Sequence, residues 1–117
     1  MIEELVARMF VARDVAHREH LRTRSFSQHM ALGAFYDAVI EQTDTIVEAY
    51  QGEFGLIGEF QVETSPVSDI TAWLRAEMDW LESNRNELSN GSQSIANLLD
   101  GLTATFQAAI YKLTYLA

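Results

Sequence analysis

Apolar residues return along this chain at spacings of three and four, the period of an amphipathic helix, and no stretch alternates as a half-buried strand would. Ile2, Leu5, Val6, Met9, Arg13, Ala16, His17 and His20 share one stripe, which predicts a first helix from about residue 1 to 21. Ser25 reads as an N-cap, with Gln28 three residues on to complete a capping box. The second helix carries Leu32, Phe35, Tyr36, Val39, Ile40, Ile46, Val47 and Tyr50 and ends near Gly52. Residues 52 to 65 form a connection with three glycines and five apolar side chains (Phe54, Leu56, Ile57, Phe60, Val62). So apolar a connection is expected to pack against the rest and has room for a short helix.

Ser65-Pro66 signals a restart, a capping hydroxyl followed by proline at the first helical position. The third helix then presents Val67, Ile70, Trp73, Leu74, Trp80, Leu81 and Leu88, and Asn90-Gly91 closes it. A fourth runs from about Ser92 to the end, with Ile95, Leu98, Leu99, Leu102, Phe106, Ala109, Ile110, Leu113 and Leu116 close to heptad spacing. Four helices of about 20 to 27 residues, each with one apolar stripe, predict an all-α four-helix bundle. It is expected to be a single domain over 1–117, with no repeat, linker or low-complexity tract.

Composition narrows the chemistry. The absence of cysteine removes disulfides, thiolate metal sites and a cysteine nucleophile, and is compatible with a cytoplasmic location. No secretory signal or membrane-length apolar segment is expected, and hence no membrane partner. A net charge of −9 argues against nucleic acid, although Arg13, Arg18, Arg22 and Arg24 form a local basic patch diluted by Asp14 and Glu19.

Within this frame four residues carry a chemical signal: His17, His29, Asp44 and Glu48, spaced by twelve, fifteen and four. Imidazole and carboxylate are the ligands of iron, manganese and zinc. Steps of fifteen and four turn a helix by roughly 60° and 40°, so His29, Asp44 and Glu48 fall along one edge of the second helix. A hairpin turning near residues 22–25 puts His17 and His29 at similar heights. Asp44 lies about 22 Å further along. One chain therefore cannot bring its histidines and its carboxylates to one ion. Two second helices packed antiparallel about a two-fold axis can, and symmetry then builds the site twice.

The stretch from Ala16 to Glu48, with Phe26, His29, Tyr36, Asp44 and Glu48 in that order, resembles the Dps-like mini-ferritins (starvation-inducible DNA-binding proteins). The resemblance implies a ferritin-like fold, a homodimer as the minimal unit and a higher homo-oligomer, twelve-subunit hollow shells in that family. It implies His17, His29, Asp44 and Glu48 as iron ligands, with zinc or manganese as other occupants of the same site. The implied activity is oxidation of Fe(II) between subunits, preferentially by hydrogen peroxide, and storage of the ferric product. The connection 52–65 falls where that family has a short helix at the dimer contact.

There are departures. Arg18 stands where the family usually has tryptophan, and Gly33 replaces an acidic residue one turn after the second histidine. The chain is shorter than typical members and lacks their basic DNA-binding extension, and a shortened first helix is expected to hinder closure of a shell. His20 reads as an accessory ligand or a solvent-facing residue; Asp14 and Asp37 border the same stripe. Glu77, inside an apolar stripe, reads as a paired or interfacial acid, and Trp73 and Trp80 as core or interface. No Glu-x-x-His pair, phosphate-binding glycine loop or nucleophile elbow occurs. Two function classes follow: an iron-oxidising storage protein, or a non-enzymatic oligomer such as a virion component, scaffold or regulator that has kept the bundle and lost the chemistry.

Overall fold

The computed structural model describes all residues from 1 to 117. Five helices, α1 (Ile2–Arg22), α2 (Phe26–Phe54), α3 (Ile70–Ser83), α4 (Arg85–Ser89) and α5 (Gln93–Tyr115), carry the chain, and there is no strand. Local chemistry sets most of the ends. The side chain of Ser25 accepts from the Gln28 N–H and that of Ser92 from the Ile95 N–H, each satisfying a donor that the first helical turn leaves free. Asn90 takes the left-handed conformation after α4 and Gly91 continues with φ of 82°.

Three expectations are corrected. The capping box at Ser25 is half-formed: Gln28 reaches Thr23, and it is the Thr23 hydroxyl that accepts from the Ser25 N–H. Ser65-Pro66 does not start a helix. The chain stays irregular to Asp69, whose carboxylate accepts from the Ala72 N–H at 3.1 Å and is the actual N-cap of α3. The predicted third helix also breaks at Asn84, whose backbone N–H and side-chain amide both donate to the Trp80 carbonyl and whose backbone leaves the helical region at φ −109° and ψ 7°. The connection over 55–69 contains no helix. Ile57 and Phe60 are half-buried, with Phe60 edge-on to Phe10 at 5.4 Å, whereas Leu56 lies almost wholly in solvent.

Contacts between ends give the path. Ser27 meets Leu116, Arg75 meets Thr114, Arg8 meets Glu77, and Gln42 meets Gly101 and Thr105. Hence α1 runs up, α2 down, the connection climbs back past Phe10 and Arg18, α3 descends and α5 returns up. Each of α1, α2, α3 and α5 packs on two of the others. The core between them is Leu5, Met9, Leu32, Phe35, Val39, Leu74, Leu102 and Phe106, with Phe35 and Phe106 edge-to-face at 4.9 Å. Burying each such side chain contributes about 1.5–3 kcal/mol. Most of the stripe positions read from spacing line this core, but the last helix stops at Tyr115, so Leu116 lies beyond it and is exposed.

Candidate functional site

The turn between α1 and α2 gathers all three histidines of the chain. His20 and His29 are equidistant from that turn and stack face to face, ring centroids 3.7 Å apart and planes within 19°. Their hydrogen bonds are reciprocal. His20 Nδ1 lies 2.6 Å from the His29 carbonyl, and His29 Nδ1 lies 2.8 Å from the His20 carbonyl. A carbonyl only accepts, so both Nδ1 atoms donate, and in the neutral rings both Nε2 lone pairs are left free. A backbone carbonyl holding the other ring N–H is the arrangement of a metal-ligating histidine. The lone pairs lie in near-parallel planes, however, and do not converge on one ion.

His17 packs one turn lower, stacked on Tyr36 at 4.3 Å, with its ring 6.1 Å from that of His20. Arg13 covers the same tyrosine at 5.4 Å. His17 and His29 therefore both pack on His20, which stands between them rather than facing solvent. Gly33 explains itself here. A Cβ at that position would sit 3.1 and 3.2 Å from His20 ring atoms, so the glycine makes room for the imidazole. Arg18 reaches the other way: its guanidinium donates to the Ser65 carbonyl at 3.3 Å, and its Nε is buried without a partner, the Glu19 carboxylate being 3.8 Å off. It ties the rising connection to α1.

Asp44 and Glu48 are elsewhere. Both are exposed on the lower half of α2, at the rim of a cavity of about 210 Å³ that they share with Val6, Phe10, Ile57 and Phe60. Sharing it with residues 6 and 10 puts them at least about 10 Å below His17 along α1. No three His, Asp or Glu side chains of one chain come together where they would hold a metal ion. Within the chain, then, the four residues remain two separate pairs, as their spacing requires. Asp14 and Asp37 are exposed, and Asp14 pairs with Arg13 at 3.2 Å.

A second cleft, of about 320 Å³, opens between α1, the connection and α3. Its one arginine, Arg8, is already engaged: it donates to both oxygens of Glu77 at 3.0 Å, pairs with Glu4 and lies 4.4 Å over Trp80. Glu77 is thus a paired acid, and Trp80 packs under a cation. With its charge neutralised, the cleft offers no free cation to a ligand. The His20–His29 pair is the feature that reading one helix at a time missed. Its signal was positional: residues 20 and 29 are symmetric about a turn at 24–25.

The class so defined is an all-helical protein whose histidines cluster at one hairpin turn and whose exposed carboxylates lie further down the same helix. Residues 20–113 match the family of unknown function DUF5856, and the chain belongs to that family. The match includes His20, His29, Asp44 and Glu48 and begins after His17. No curated protein and no solved structure matches the chain. No helix is long and apolar enough to cross a membrane.

Proposed function

We propose that this protein is a ferritin-like four-helix bundle that binds Fe(II) as substrate between two subunits and oxidises it, as the Dps-like mini-ferritins do. The path of the chain supports the fold: up, down, a long crossover, down and up is the connectivity of ferritin-like bundles, which have one long connection. The observation that carries the site is the arrangement along α2. His29 stands at one end of an edge whose other end bears exposed Asp44 and Glu48, with His17 on the far side of His20. A two-fold axis across the middle of that edge brings the histidines of one copy to the carboxylates of the other, twice. Neutral Nε2 atoms and carboxylate oxygens suit Fe(II), and zinc or manganese would use the same donors. The homodimer is then the minimal unit, with larger assemblies built from it. Peroxide takes two electrons, one from each of two Fe(II) ions, and the excess of carboxylates attracts the cations and their ferric product.

One observation favours the non-enzymatic reading. His29 is engaged in stacking and a reciprocal hydrogen bond with His20, and Gly33, where the Dps-like mini-ferritins have an acid, serves that packing. A histidine pair satisfied in this way also serves as a fastening for the hairpin.

Subunit mixing separates the two. His17 is the better histidine to remove, because His29 also fastens the turn. His17→Ala and Asp44→Ala should each abolish peroxide-driven Fe(II) oxidation as homo-oligomers. Mixed and reassembled, they should recover about a quarter of wild-type activity, since half the dimers are mixed and each of those has one intact site of two. No recovery, with mixed dimers confirmed by mass, would rule out the shared site. A metal-free protein that ignores added Fe(II) would establish the scaffold reading.

A further inference from the structure

His20 is the one histidine that the shared metal site leaves without a part, yet both of the others pack on it. The cause begins at the end of α1. That helix stops at Arg22, so the His20 carbonyl is among the last ones, which a helix end leaves without a backbone donor. The His29 Nδ1–H fills it at 2.8 Å. In return the His20 Nδ1–H reaches the His29 carbonyl at 2.6 Å, and only the absence of a side chain at Gly33 lets it pass. A Cβ there would stand 3.2 Å from that same nitrogen. The His20 ring also lies edge-on to Tyr36 at 5.3 Å, and Tyr36 stacks on His17 at 4.3 Å.

We propose that His20 is a positioning residue of the metal site. It fixes the ring and the proton of His29, and through Tyr36 the ring of His17, without binding the ion itself. The inference rests on the shared-site reading given above. The proton is the first argument. An imidazole ligates through the nitrogen that carries no proton, and the hydrogen bond at the other nitrogen decides which that is. With Nδ1–H held by a carbonyl, His29 offers Nε2 to a metal. A ring released from that bond shares its proton between the two nitrogens and turns about its own axis.

The plane of the ring is the second argument. A single hydrogen bond leaves His29 free to pivot about it; the His20 ring, stacked 3.7 Å away and within 19° of parallel, removes that freedom. Stacking also settles what His20 does not do. Its own Nε2 lies in a near-parallel plane, so it does not point at the ion that His29 would hold. The third argument is reach. His17 and His29 come from different helices, and His20 is the side chain that touches His29 directly and meets the Tyr36 ring on which His17 lies. One residue therefore sets the relative placement of two ligands.

Zinc is the probe, because it takes the same donors and undergoes no redox change. Nitrogen NMR of the metal-free full chain above about pH 8, where histidine is neutral, should find the His29 proton on Nδ1. In His20→Ala that proton should spread to Nε2, and zinc affinity should fall about 10–100-fold, the usual loss when a residue that orients a metal ligand is removed. His20→Asn should recover part of both, since its amide nitrogen sits where Nδ1 does and donates to the same carbonyl. Circular dichroism checks the fold. If His20→Ala misfolds, His20→Phe, which keeps a flat ring and lacks the donor, is read in the same way. A His29 proton that stays on Nδ1, or a zinc affinity that does not change when the proton moves, would overturn the proposal and leave the shared site standing. So would equal losses in His20→Ala and His20→Asn, because His20 would then act only as packing. A wild type that binds no zinc, although its His29 proton follows residue 20, would remove the shared site as well and make His20 a fastening of the hairpin.

Discussion

The two halves of α2 use the same helix in opposite ways. In the upper half, polar groups face inward and are satisfied: His29 and His20 exchange hydrogen bonds, His17 lies on Tyr36, and Gly33 leaves space for a ring. In the lower half Asp44, Glu48 and Glu53 face outward, Gly52 has nothing near it, and the neighbouring connection is held by a few contacts such as Phe60 on Phe10. A polar group that has been desolvated must find partners inside the chain; one left in water need not. The polar groups of the upper half are therefore mostly engaged within one copy, apart from the Nε2 atoms of His20 and His29. The lower half has carboxylates available to something else, which is what a shared site requires.

The largest expected effect compares two aromatic pairs. Phe35 and Phe106 are 2% and 0% exposed, so Phe35→Ala leaves a cavity and should cost about 3–5 kcal/mol. Phe60 is half-buried on Phe10, and Phe60→Ala should cost about 1 kcal/mol, the worth of a partly exposed aromatic contact. Chemical denaturation of both variants checks this. Equal losses would show that the connection belongs to the same cooperative core and would erase the contrast.

Next in size are two glycines of the same helix. Replacing a helical glycine by alanine stabilises by about 0.5–1 kcal/mol through backbone entropy alone. Gly52→Ala should show that gain, since no atom lies within 4 Å of the new methyl. At Gly33 the methyl meets His20, whose ring is held by a 2.6 Å hydrogen bond and by its stack and cannot give way cheaply. Overpacking of about 1–3 kcal/mol then outweighs the gain, and Gly33→Ala should lose about 1 kcal/mol net. The same substitution should change sign along one helix. A stabilised Gly33→Ala would mean the histidine pair is loose.

What could be read from the sequence follows the range of the forces. Ser25, Ser92 and Asn90-Gly91 mark helix ends because a cap depends on residues three or four away. The stripes of α1 and α5 were legible for the same reason, since spacing alone defines an inner face. Pro66 misled because its local preference yields to a distant contact, Arg18 holding the Ser65 carbonyl while Asp69 supplies a better cap. Gly33 reads from the sequence only as the replacement of an acidic residue, because the neighbouring helix alone reveals what fills its space. The spacing of His17, His29, Asp44 and Glu48 foretold two separate pairs in one chain, but not that His20 would stand between the two histidines.

The smallest effect concerns how the acidic half holds its connection. Glu3, in the first turn of α1, accepts a 2.8 Å hydrogen bond from the Gly58 N–H, and this bond holds its carboxyl below the ordinary value of 4.5. A carboxyl whose pKa is lowered by folding adds stability above its unfolded pKa. That stability is lost as pH falls through the lower, folded value. Glu3→Gln removes the charge and leaves a weaker acceptor, so the variant should be slightly less stable at about pH 6, and the difference should narrow as the pH falls below 4.5. Asp100 is also held below its ordinary value, through its hydrogen bonds to Arg85, but it is unchanged in both proteins and cancels in the comparison. Denaturation at several pH values gives the difference, and hydrogen exchange at the Gly58 amide locates it. A gap that does not vary with pH would mean that the Gly58 bond is not what anchors the lower end of the connection to α1.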